Sequence, residues 1–118
     1  MKAVIAALVA VLPSIAAAEG FTTLDLGSIP TDEACLARAE ATFEKFGRKI
    51  DVGEIVGATW SISAFDIGSD DYDAHIVCAY GPDDQTQVTL IVYYSDNGDE
   101  DIAGDYGARL KLVWKSLN

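Results

Sequence analysis

Apolar residues change their spacing several times along this chain, and each change marks an element. The first pattern is an unbroken apolar run, Ala3 to Leu12, which follows Lys2 and closes on small residues ending Ala16-Ala17-Ala18. That layout predicts a cleavable signal peptide over residues 1–18, cut after Ala18, because a membrane span needs about 20 apolar residues. Residues 19–30, which include Pro30, read as an extended lead-in. A helical period begins next. Thr31 suits an N-cap, Asp32 and Glu33 suit the positive end of the dipole, and Cys35, Leu36, Ala39, Phe43 and Phe46 recur at three and four. Gly47 supplies the stop, and Cys35 lies on the inward face of the helix.

After "RKIDVGEIVG", read as a short strand and turn, the period changes to two. "VGATWSISAF" predicts one strand, with Val56, Ala58, Trp60, Ile62 and Ala64 on one face and Thr59, Ser61, Ser63 and Phe65 on the other. "DIGSDDYD" reads as a polar hairpin loop. "DAHIVCAY" is the next strand, with Ala74, Ile76, Cys78 and Tyr80 on one face and Asp73, His75, Val77 and Ala79 on the other. "GPDDQ" suits a type I turn, with Pro82 second and Asp83 third, and "TQVTLIVYY" forms the following strand. The chain closes on an amphipathic helix. Its stripe is Ile102, Tyr106, Leu110, Val113 and Leu117, with Asp99, Glu100 and Asp101 at its start and Arg109, Lys111 and Lys115 in its later turns. Gly104 and Gly107 weaken its first half by about 1 kcal/mol each relative to alanine, so either it starts late or the glycines let it approach the sheet closely.

The predicted fold class is α+β. Residues 31–118 make a single domain, a two-layer sandwich in which a three- or four-stranded antiparallel meander is flanked in sequence by two helices on one face. Two cysteines in an exported chain allow one intramolecular bridge, Cys35 to Cys78, joining helix to sheet. The chain-entropy model gives it an upper value of roughly 4 kcal/mol. The chain lacks the Cys-x-x-Cys spacing that free, redox-active or metal-binding thiols favour.

Charge narrows the classes of partner. Without Lys2, seven of the 8 basic side chains remain against 19 acidic ones, a formal charge of −12. No basic run offers a nucleic-acid or lipid-surface site, and no membrane insertion is expected once the signal is removed. The expected address is the periplasm or the medium.

The stretches "CLARAEATFEKFG", "AHIVCAY", "VTLIVYYS" and "LKLVW" together resemble small exported bacterial α+β proteins of uncharacterised function, over roughly residues 34–114. That resemblance implies the same disulfide and fold, and it brings no activity.

Candidate chemistry is sparse. Asp71, Asp73 and His75 alternate and could offer donors to a metal, while "DNGDEDIAGDYG" departs from the order of a calcium loop. Ser61 or Ser63 with His75 and Asp73 is the only hydrolase-like set, and no glycine-flanked nucleophile turn accompanies it. Trp60 and Trp114 read as core. No cofactor, metal site or enzymatic activity is expected. The best candidate is the sheet face away from the helices, where Phe65, His75, Val77, Thr89, Ile91 and Tyr93 fall together, more apolar than a solvated face. Its expected role is binding, to an envelope protein or to a second copy of the chain. The lead-in, with Phe21, Leu24 and Leu26, could instead fold across this face, or a one-residue register shift could turn it inward. A carrier of metal or small ligands, using the acidic loop residues, is the alternative.

Overall fold

The computed structural model describes residues 19–117; the expected signal peptide, 1–18, lies outside the described residues. The lead-in is a strand, β1 (Gly20–Ile29), and a helix follows, α1 (Asp32–Phe46). Thr31 caps that helix: it is extended, and its hydroxyl accepts the Ala34 N–H at 3.1 Å. Along one side α1 buries Cys35, Ala39, Thr42, Phe43 and Phe46. Gly47 ends it in a right-handed conformation, φ −64°, so the stop does not use the left-handed freedom of glycine.

The strand expected from Val56 to Phe65 starts at Ser61, and Val56 and Gly57 instead end an earlier strand that lies within "RKIDVGEIVG", the stretch read as a short strand and turn. β2 (Glu54–Gly57) and β3 (Ser61–Phe65) form a tight antiparallel hairpin, with Gly57 opposite Ile62 and the Ala58 N–H donating to the Ser61 carbonyl at 2.8 Å. One expected face assignment falls with it: Val56 lies opposite Ser63 on the outer face. Trp60 keeps the parity of Ile62 but sits at the hairpin tip, 45% exposed, instead of in the core. β4 (Tyr72–Tyr80) and β5 (Thr86–Tyr94) follow in the expected places. The loop before β4 is less polar in practice than in composition: Ile67 is fully buried, between Asp66 and Gly68, both at positive φ. The turn between β4 and β5 is a short 3-10 segment, Pro82–Asp84. Asp83 has φ 60° and ψ 33°, the left-handed region, where a type I turn would place its third residue at negative φ.

All five strands make one antiparallel sheet in the order β1-β5-β4-β3-β2. The expected meander accounts for four of them. The fifth is β1, which lies along β5 with one register shift between Asp25 and Gly27. Gly27 has φ +88°, and the Asp25 carboxylate fills the bulge by accepting the Gly27 N–H at 2.7 Å and the Gln87 side-chain amide at 3.0 Å.

Both helices cover one face. α2 (Glu100–Ser116) lies over β1 and β5, and α1 lies over β2, β3 and β4. Asp99 caps α2, its carboxylate accepting the N–H groups of Asp101 and Ile102. The buried side of α2 is Ala103, Gly107, Leu110 and Trp114. It is thus rotated from the expected stripe, and Ile102 is left 43% exposed. Gly107 explains the rotation. A Cβ there would stand 2.7 Å from Leu24 Cδ1 and 3.5 Å from Val92 Cγ2, so the missing side chain lets the helix backbone settle on the sheet.

Between the layers lie Phe43, Ile62, Ala64, Ile76, Val88, Leu90, Val92, Leu110 and Trp114. Cys35 and Cys78 are bonded there, fully buried, with their Cα atoms 6.1 Å apart and a separation of 43 in sequence. A second tie joins the helices: the Arg38 guanidinium lies 4.3 Å from the Trp114 ring centre and donates twice to the Trp114 carbonyl, at 2.5 and 3.0 Å.

Candidate functional site

With both helices on one side, the other side of the sheet is uncovered among the described residues. Its residues follow from the strand register, because residues directly opposite in adjacent strands share a face. One row runs across all five strands: Val56, Ser63, His75, Ile91 and Thr23. A second contains Ser61, Val77, Thr89 and Asp25. A third pairs Asp73 with Tyr93 and Tyr93 with Phe21, and Glu54 faces Phe65 at the other edge. The six expected residues, Phe65, His75, Val77, Thr89, Ile91 and Tyr93, therefore stand on one face, and each is half-buried by its neighbours alone. The lead-in does not fold across them. It lies in the plane of the sheet, where Leu24 turns to the helices and Phe21, 69% exposed, enlarges the open face.

His75 occupies the middle of this surface. Its Nδ1 is 2.7 Å from Ser63 Oγ, and the Phe65 ring stands edge-on to the imidazole with centres 5.8 Å apart. The remaining members of the hydrolase-like set lie elsewhere. Asp73 accepts the Asp66 N–H at 3.0 Å, and Ser61 is one row away, opposite Val77. A serine and an imidazole side by side on a flat sheet form a polar notch among apolar neighbours; catalysis would also need an orienting group and oxyanion donors. The three residues weighed as metal donors diverge as well. Asp71 accepts the Ser95 hydroxyl at 2.6 Å, and among the described residues no three histidine, cysteine or acidic groups converge. At the β1 edge the Tyr93 hydroxyl donates to Glu19 at 2.6 Å. This bond to a carboxylate, with smaller contributions from burial and nearby acids, raises the phenol above its usual 10.0.

Two further features escaped the sequence reading. Trp60 and Tyr80, 45% and 88% exposed, pack against each other at the disulfide end of the sheet, beside a depression of about 230 Å³. On the helix layer, Phe46, Ile50, Leu112 and Val113 line a groove of about 250 Å³ rimmed by Lys45, Lys49 and Arg109. The cations around this groove belong to a wider segregation. All seven basic residues after Lys2 lie in α1, in α2 or just after α1, and no strand carries one. No described helix is long and apolar enough to cross a membrane.

No family model, curated protein or solved structure matches the chain.

Proposed function

We propose that the protein is an exported, non-enzymatic binding module that holds a protein partner on its uncovered sheet face. The observation that carries this reading is the face itself: Phe21, Phe65, Val77, Ile91 and Tyr93 stand together on one side of a sheet whose strands contain no lysine or arginine. Apolar side chains with a central polar notch, ringed by acids such as Asp25, Glu54 and Asp73, suit a partner whose apolar contact surface is bordered by cations. The same charge disfavours a face-to-face dimer, in which two acidic rims would meet. An envelope protein of basic character is the partner this chemistry selects, and the acidic surface would speed its approach.

The test is capture from a native cell envelope on the oxidised mature domain, beside a Val77→Lys, Tyr93→Lys variant, followed by affinity measurements with the purified captured protein. The reading requires a basic partner, bound by the wild-type domain, weakened by salt and lost with the variant. Capture that survives both changes would remove the sheet face from the mechanism. A melting shift on adding calcium or zinc, with no protein partner, would move the assignment to a metal carrier using the acidic loop residues.

A further inference from the structure

The depression beside Trp60 lies apart from the open face. Tyr80 has the strand parity of Ala74, Ile76 and Cys78, which turn toward the helices, but it stands beyond the end of their cover. The β2–β3 hairpin brings Trp60 to it. The Trp60 carbonyl accepts the Cys78 N–H at 2.8 Å, which anchors the hairpin tip, and the two rings meet at 5.6 Å with 55° between their planes. Two acidic residues share the walls. Asp32 comes from the first turn of α1, with Pro30 beside it, and Asp84 comes from the turn after β4. That turn holds Asp83 and Asp84 in the left-handed region, at φ 60° and 58°, and closes through the Gly81 N–H to the Gln85 carbonyl at 2.8 Å. Aspartate enters this region more readily than most non-glycine residues, and here the turn places Asp84 at the wall. No lysine or arginine lines the depression, and neither Asp32 nor Asp84 forms an ion pair among the described residues.

We propose that this depression binds an organic cation, an alkylammonium or guanidinium group, held against the faces of Trp60 and Tyr80 and neutralised by Asp32 and Asp84. Exposed aromatic rings attract a cation within about 6 Å of their centres, and carboxylates without an ion-pair partner add charge of the right sign. A neutral aromatic ligand could stack on the rings, but it would leave both acids without a counter-charge. The site does not depend on the sheet-face reading: it would serve equally a free amine or a lysine or arginine presented by a polypeptide.

Choline, its uncharged carbon isostere with tert-butyl in place of trimethylammonium, and a short arginine-containing peptide would each be titrated into the oxidised mature domain. The readout is the NMR shift of the Trp60 indole N–H and of the amides of residues 79–86. The expected result is a saturable shift with choline or the peptide and none with the isostere. Trp60→Ala should weaken binding by roughly tenfold and Asp84→Asn by several-fold. Because Trp60 and Asp84 are exposed, these variants should retain the disulfide and the wild-type melting profile, which separates loss of the site from loss of the fold. Tighter binding of the peptide than of choline would identify a polypeptide as the source of the cation; the reverse would identify a free amine. Equal shifts with choline and the isostere, or unchanged choline binding by a folded Trp60→Ala protein, would overturn the proposal.

Discussion

Gly104 and Gly107 are three positions apart in the same helix, yet they carry opposite meanings. A Cβ at Gly104 would meet nothing within 4 Å, whereas one at Gly107 would press on Leu24 Cδ1. Gly104→Ala should therefore raise stability by about 1 kcal/mol through helix propensity. Gly107→Ala should forfeit that gain because its methyl must displace the Leu24 side chain, so it should melt below Gly104→Ala in a thermal scan. Tyr93 offers a test of the β1 edge. Its hydrogen bond to Glu19 raises the phenol above 10.0, so any stability from that contact is present below the ordinary tyrosine range and lost as pH rises through the folded value. In a spectrophotometric titration Glu19→Gln should bring the tyrosinate signal of Tyr93 to lower pH. Which glycine faces a neighbour, and that Glu19 meets Tyr93, could not be seen in the sequence, since both depend on where β1 lies.

At the scale of elements, α1, β4 and β5 were legible because local signals agreed: a Thr31 cap with helical period in the first, and strict alternation between turn residues in the other two. The turn that joins β2 to β3 was hidden by parity. Alternation runs unbroken from Val56 through Ile62, and the tip lacks an Asn-Gly or Asp-Gly pair, so the turn leaves no mark on the pattern. β1 was legible as extended but not as a sheet member, because its partner β5 lies some 60 residues away and pairing at that range has no local trace. The stripe of α2 was misjudged because glycine counts as nothing on a hydrophobic scale, while here Gly107 sits at the point of closest approach. His75 and its five companions were found because one strand parity, once right in β3, β4 and β5, places every residue of the face. The link between elements that matters most is the disulfide of α1 with β4. A Cys35→Ala, Cys78→Ala variant should lose up to about 4 kcal/mol, read as a fall in the urea midpoint together with a steeper slope, since the unbridged denatured chain exposes more surface. A fall of a few tenths of a kcal/mol would mean that packing alone holds α1 in place.

For the whole molecule, charge separates by layer: the strands are free of cations, and the helices with the segment after α1 hold all seven that follow Lys2. A basic partner approaching the open face should be steered, so its association rate should fall steeply between low and physiological salt while the dissociation rate changes less. Stopped-flow measurement at several ionic strengths would check this, and an association rate indifferent to salt would rule out steering. The position of the single bridge has another result. Cys35 and Cys78 close a ring of chain that includes β2, β3 and the exposed stretch Gly68–Asp70. A protease cutting that stretch would part the backbone without releasing either piece, because the piece carrying α1 and the piece carrying α2 remain joined through sulfur. A clipped molecule should run as one band on a gel until reductant is added and as two afterwards, so wear at this exposed loop would not, by itself, dismantle it.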